Sequence, residues 1–371
     1  MSTSSTSSAT SREALRAAQS ALGATLSQVM YGESTDPSDA VTLPMSFGQD
    51  PEAIAAANSG VALYDCCHWG RVEVSDGDRL RFLHNQSTND FLSLRPGQGR
   101  DTVFVTSTAR TIDLVSAFAT EDSVLLLTSP GSSSRLFKWM DRFIFFADQV
   151  KLADLTDSTA AFRLVGPDSA TLLSKIGAGD WAEQPLGSHK SLTINGISVR
   201  IAVGSGLALS GYTLITDADR AAELWVLLAD AKAVPLGETA WEKLRIEQGR
   251  PYPGQELTND YNPLEAGLWG AVSFEKGCYI GQETIARLDT YNGVKQKLWG
   301  IRLNTVAEPG TVVMAGEEKI GRLTSVDTTP GGVIGLAYIR TKAGGAGLAV
   351  TVGEAEGEVV EVPFLTRSRL S

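Results

Sequence analysis

Apolar residues in this chain come mostly in short runs, and helical spacing is confined to a few segments between them. Residues 51–58 form an Ala-rich stretch that reads as a short helix, with Gly60 placed to stop it. Residues 61–64 and 71–74 read as strands around the loop DCCHWG. Leu80 and Leu83 carry helical spacing through 76–85, with Asp76 available as N-cap. Residues 102–106 and 112–118 read as paired strands, with 124–128 a third. Further on, a strand at 162–165, the turn Gly166-Pro167-Asp168 and a helix at 169–176 follow one another. Strands at 192–194 and 197–203 flank Asn195-Gly196, the strongest short hairpin signal. A strand at 212–216 and a helix at 218–231, with Asp217 as its cap, complete a ferredoxin-like α+β order with one extra strand. Residues 238–248 have the clearest helical pattern, closed by Gly249 and by Pro251 and Pro253. Beyond Lys295 the helical signal fades, and about six short strands in Gly-rich sequence predict a small β-barrel or sandwich, with Val294 as the boundary.

Length and composition narrow the class. A chain of 371 residues is too long for one core and predicts two or three domains. A net charge of −11 argues against nucleic acid or an anionic membrane as partner. No apolar run reaches the roughly 18 residues that a membrane span needs. The 3 cysteines are odd in number and lack CxxC spacing, so a disulfide framework is not expected and a reducing compartment is the default. The 3 histidines are scattered, and no metal site is expected. Residues 2–11, STSSTSSATS, cannot build a core. With Arg12, Arg16, one acid (Glu13) and many alanines following, the stretch to Gln28 can form a basic amphipathic helix, and the 1–40 segment reads either as a transit-like leader or as a disordered tail.

Three places carry candidate chemistry. In Lys276-Gly277-Cys278-Tyr279-Ile280-Gly281-Gln282-Glu283, a cysteine stands between a lysine and two glycines, ahead of a helix at 282–288. A helix N-terminus and a nearby ammonium both favour a thiolate. The alternative for Cys278 is a small buried hydrophobe in a turn. Glu247 is an acid near a helix C-terminus, an unfavourable place that calls for a partner. That partner is either Arg245 or Arg250 in a surface ion pair, or a cationic or two-donor ligand. Asp113 sits within an apolar strand, either at its wet end or as an acid–base group lining a pocket. Gly204-Ser205-Gly206 lacks the third glycine of a dinucleotide fingerprint.

LRIEQG (244–249), NPLEAGL (262–268) and KGCYIGQE (276–283) resemble the folate-binding YgfZ-type proteins, relatives of the glycine-cleavage T-protein, an aminomethyltransferase. LYDCCHWGRVEV (63–74) and FLHNQSTND (82–90) are similar to the N-terminal region that both groups share. DTVFVTSTARTIDL (101–114) looks most like chloroplast and cyanobacterial members. The resemblance spans residues 45–365; KGCYIGQE is specific to the YgfZ branch, whereas LRIEQG is shared with the aminomethyltransferases. It implies an α+β fold of two ferredoxin-like, T-protein-type units forming a folate cavity, plus a small C-terminal β-barrel. The implied domains are a disordered segment at 1–40, a folate-binding region at 41–293 with a ferredoxin-like unit at 161–235, and the barrel at 294–371.

The implied cofactor is tetrahydrofolate or a one-carbon-substituted folate. Glu247 would receive the pterin edge, whose amino group and adjacent N–H suit one carboxylate. Asp113 matches the first of two T-protein aspartates; Leu114 replaces the second, and Ala109-Arg110-Thr111 replaces a Gly-rich approach. Those departures tell against aminomethyl transfer but not against folate binding. Tyr261 and Arg287 are further pocket candidates by position. The implied function is an accessory role in iron–sulfur cluster assembly or repair, with Cys278 as the functional thiol, Lys276 beside it, and assembly proteins or client enzymes as partners. The alternatives are a folate-dependent aminomethyl or one-carbon transferase, and a scaffold with a vestigial pocket. The expectation is a monomer in the chloroplast stroma, or else the mitochondrial matrix or cytoplasm, with no nucleic-acid or membrane partner. Three cysteines cannot hold a four-cysteine cluster.

Overall fold

The computed structural model describes residues 3–31, 36 and 40–369. In chain order the first elements are α1 (Thr3–Ala21), β1 (Thr25–Val29), β2 (Val41–Ser46), α2 (Asp50–Ser59), β3 (Ala62–Asp65), β4 (Trp69–Ser75) and α3 (Arg79–Gln86). Next come β5 (Gly99–Val105), β6 (Thr111–Ala119), β7 (Ser123–Pro130), α4 (Ser133–Asp141), β8 (Lys151–Asp154), β9 (Thr159–Val165) and α5 (Ser169–Lys175). They continue with β10 (His189–Ile194), β11 (Ile197–Val203), β12 (Gly211–Asp217), α6 (Ala221–Asp230), β13 (Val234–Leu236), α7 (Glu238–Gln248) and α8 (Gln282–Thr290). The last six are β14 (Gln296–Leu303), β15 (Val312–Ala315), β16 (Glu318–Thr329), β17 (Gly332–Arg340), β18 (Ala349–Val352) and β19 (Ala355–Val360). The chain divides into two compact units: Met1–Arg79 with Leu94–Arg100 and Ser116–Trp241, and Leu80–Ser93 with Asp101–Val115 and Glu242–Ser371.

In the first unit, a six-stranded sheet runs in the order β10-β11-β12-β9-β3-β13. Only the β13–β3 pair in it is parallel. Asn195 and Gly196 turn the β10–β11 hairpin with φ of 49° and 78°, the positive values that a type I′ turn needs. Phe162, Leu164, Leu214 and Val199 from the sheet meet Leu224, Trp225 and Leu228 of α6 in one core. Asp217 makes no side-chain cap; a 3-10 turn, Ala218–Arg220, leads into α6 instead. Asp76 does not cap a helix either. Its φ is 79°, its carboxylate accepts from Gly77 N–H, and α3 starts three residues later.

The disordered reading of 1–40 is corrected for its described residues. Helix α1 places Leu15 in the core at 2% exposure, and β1 pairs with β2. The reason lies in Asp65, which is fully buried at the end of β3 and needs donors. Arg16 forms an ion pair with it, Gln19 Nε2 donates to it at 2.8 Å, and so does Cys67 N–H. Burial opposes its charge, yet Arg16 and these donors hold its carboxyl well below the usual range.

In the second unit, β14-β17-β16-β15-β18-β19 close a six-stranded barrel. Strand alternation explains why β14 and β17 read as almost unbroken apolar runs. Trp299, Ile301, Ala337 and Ile339 fill the barrel, whereas Leu298, Ile334, Leu336 and Tyr338 join a second core with Ile246, Leu257, Ala266 and Leu268. This shared core makes one unit of the barrel and residues 242–293, where the sequence pattern had placed a boundary at Val294.

Candidate functional site

Helix α7 has the predicted bounds, and Gly249 ends it with φ 86°. The fate of its two last-turn charges differs. Arg245 is fully buried, with Nη1 3.1 Å from Glu256 Oε2, which is itself fully buried. It also binds Glu242, Gln255 Oε1 at 2.7 Å and Ser325 Oγ at 3.0 Å. Arg250 lies over the Phe364 ring, 5.3 Å from its centre. Neither arginine reaches Glu247. Among the described residues, the half-buried Glu247 has no hydrogen-bond or ion-pair partner, so the surface-pair reading does not hold. Burial raises its pKa above the usual glutamate value. Its Oε1 faces the β16–β17 turn, where a Cβ added to Gly331 would stand 3.8 Å away.

Asp113 is fully buried in β6, not at a wet strand end. Its neighbour Leu114 and Glu247's neighbour Ile246 pack in the same core cluster, and Tyr261 packs against that cluster. The Tyr261 ring stacks on Tyr338 with centroids 3.4 Å apart and an interplanar angle of 9°. The Tyr261 carbonyl accepts from Thr111 N–H at 3.0 Å, tying the loop after α7 to the start of β6. Leu114, Ile246 and Tyr261 thus share one core, while Asp113, one position before Leu114 in β6, points to the opposite face of its strand. Leu114 is 1% exposed and packs among apolar side chains.

The KGCYIGQE segment is a frame around an exposed thiol. Lys276 does not face Cys278: its ammonium donates to the carbonyls of His84, of Ser87 at 2.8 Å and of Asn89 at 2.8 Å, closing the end of α3. All three of its N–H donors are used there. The same ammonium lies 4.6 Å from the centre of the buried Tyr279 ring. Ile280 N–H donates to Asn85 O at 3.0 Å, and Gly281, with φ 82°, packs on the β5–β6 turn. Cys278 is left exposed on this frame, so the buried-hydrophobe reading is set aside. His84, with Nδ1 3.0 Å from Asp90 Oδ1, lies beneath; burial and then Lys276 pull its pKa down. Cys66 is buried and Cys67 half-buried, and burial pushes the Cys66 thiol up to about 11. Iodoacetamide added to the native protein at neutral pH should therefore label Cys278 in preference to Cys66, which is modified only in denaturant. Equal labelling of Cys66, read by peptide mass spectrometry, would contradict this placement.

Arg287 is not in a pocket. Its side chain is 68% exposed on α8 and pairs with Glu283 one turn back at 2.8 Å. Of the six candidate residues, Asp113 is buried in β6, Glu247 is half-buried near the end of α7, Tyr261 packs on the core beside α7, Cys278 is exposed on a frame that Lys276 supports, and Arg287 is on the surface. The buried Arg245–Glu256 pair was not foreseen, because eleven positions and two prolines separate its members. A GCVT N-terminal domain model matches residues 40–276.

An Arabidopsis thaliana protein described as "putative transferase, chloroplastic" is 46% identical over 325 residues, covering 87% of this chain and 75% of that one. The aminomethyltransferase of Bacillus mycoides is 29% identical over 354 residues, covering 91% and 96%. The crystal structure of the glycine cleavage aminomethyltransferase T from Bartonella henselae superposes with a TM-score of 0.82 at 19% identity, covering 96% and 99%. The chain belongs to the GCVT family and is related to the aminomethyltransferases. Its architecture is the T-protein-like α+β fold with a closed C-terminal barrel.

Proposed function

We propose that this chain binds tetrahydrofolate, or a one-carbon-substituted folate, through Glu247, and serves as a YgfZ-type accessory protein in iron–sulfur cluster assembly or repair. One observation carries the folate part: a half-buried carboxylate at a helix C-terminus with no donor among the described residues. Ionised groups so placed are retained at a cost, and a pterin edge supplies the two parallel donors that would offset it. Asp113 and Tyr261 are the proposed companions of Glu247, Tyr261 packing on the core that Ile246 joins. The accessory role rests on the exposed Cys278 and on the KGCYIGQE resemblance; an apolar Leu114 beside Asp113 favours it over aminomethyl transfer. Assembly proteins or client enzymes would be its partners. The chloroplastic relative supports a plastid location. We also propose that folate binding is the work of 41–293 and that the barrel at 294–371, which shares a core with 242–293, supports it.

The test is Glu247→Gln. Because burial raises the carboxyl's pKa in the folded state, Glu247 lends stability below its unfolded value, and this is lost as pH rises through the folded value. The neutral amide should therefore raise the melting temperature at pH 7 while weakening tetrahydrofolate binding by about 1–3 kcal/mol. Binding by the unmodified protein should also fall as pH is lowered towards that raised pKa. A variant that loses stability and keeps its affinity would remove Glu247 from the site. Cys278→Ser should leave folate binding unchanged and fail to restore iron–sulfur enzyme activity in a deletion background.

A further inference from the structure

The first unit contains a cavity of about 630 Å³, walled in part by Arg12, Arg16, Cys67, His68, Thr159 and Ala221. This is a size that holds a small organic molecule. His68, on the β3–β4 loop, is 8% exposed and its ring stacks on Tyr31 with centroids 5.1 Å apart. Its Nε2 lies 3.4 Å from Tyr64 Oη, and Tyr64 donates its own proton to Glu238 Oε2 at 2.7 Å. Tyr31 Oη donates to the other Glu238 oxygen, also at 2.7 Å. The Tyr64 oxygen is therefore the acceptor, and Nε2 carries the ring proton. Nδ1 is left with its lone pair, buried and without a hydrogen-bond partner among the described residues. Burial keeps the ring neutral, its pKa pulled down to about 3 with Arg16, Arg71 and Arg163 adding to the effect against Asp65. A buried acceptor with no donor is rare in a folded protein.

The same wall carries two arginines, Arg12 and Arg16, and two acids, Glu13 and Asp157. Arg16 uses Nη1 on Asp65 and Gln19, and Arg12 pairs with the exposed Asp157 at the rim. The start of α6, which has no side-chain cap, reaches the wall at Ala221. Glu13, exposed at the rim, is the acid there with no partner among the described residues. We propose that this cavity is a binding site for a small dicarboxylic acid carrying an amine or hydroxyl beside one carboxylate. The carboxylates meet Arg12, Arg16 and the α6 terminus, and the amine or hydroxyl donates to His68 Nδ1. With an amine, Glu13 supplies a counter-charge. This site is separate from the folate reading, which concerns the second unit.

Titration calorimetry of the full chain with L-aspartate, malate and succinate tests it, since succinate has both carboxylates and lacks the donor. Aspartate and malate should bind at least about ten-fold tighter than succinate. His68→Phe, which keeps a ring against Tyr31, should abolish that preference, with its folding checked by thermal denaturation. In the unmodified protein, the ¹⁵N resonance of His68 Nδ1 should move with aspartate and stay with succinate, a readout that needs no variant. Equal affinities for the three acids, no saturable binding, or an unmoved Nδ1 resonance would overturn the proposal. Folate binding measured in parallel should be unaffected by His68→Phe.

Discussion

Arg245→Met should lower the unfolding free energy by about 3–5 kcal/mol, the loss expected when one partner of a buried ion pair is removed. Arg245 and Glu256 both have fully buried side chains, so the substitution strands a carboxylate out of water. Thr324 Oγ1 at 2.7 Å, Ser325 Oγ at 2.6 Å and Tyr252 N–H at 3.0 Å would still donate to Glu256. Hydrogen bonds of that kind reduce the penalty but do not supply a counter-charge. Arg245→Met combined with Glu256→Gln should recover most of the loss, because no fully buried charge is left uncompensated; Glu242, the other carboxylate on Arg245, is 30% exposed to water. Urea denaturation of the three proteins reads the effect. A loss below about 1 kcal/mol for the single variant would mean that water reaches Glu256.

Gly281→Ala should cost about 2–4 kcal/mol, from left-handed backbone strain together with overpacking. Gly281 has φ 82°, and a Cβ there would meet Thr106 O at 2.8 Å and Val105 Cγ2 at 3.0 Å. A carbonyl of the β5–β6 turn cannot swing aside as the end of a flexible side chain can. Gly277 has no such constraint, since its added Cβ would meet only His84 Nε2 at 3.8 Å. Gly277→Ala should therefore leave stability within about 0.5 kcal/mol of the unmodified protein. The two glycines of one motif thus have different reasons to be there, and matched thermal melts separate them. Equal melting temperatures for the two variants would contradict the contact between Gly281 and the turn.

Much of the fold was legible because the barrel and the α6 layer obey simple periods. The six C-terminal strands, the Asn195-Gly196 hairpin and helix α7 all follow from alternation, turn chemistry and a Gly-Pro stop. The errors came where tertiary partners decide. Serine and threonine at 2–11 suggested disorder, yet Arg16 and Gln19 of the same helix answer a buried Asp65 that lies in a strand 49 positions beyond Arg16. Lys276 stands two positions from Cys278 in sequence, but the carbonyls at the end of α3 take its ammonium. Arg287 keeps to its own helix face. Glu247 and Asp113 were singled out because each carboxylate sat where local chemistry disfavours it, and both prove to be at least half-buried.

Folate recognition is proposed to rest on Glu247. Calorimetric titration of the unmodified chain with tetrahydrofolate and its 5-formyl form, beside Glu247→Gln, tests it most directly. Binding should be saturable and one-to-one, and the substitution should weaken it by about 1–3 kcal/mol. Absence of saturable binding by the unmodified protein, or equal affinity in the two proteins, would contradict it.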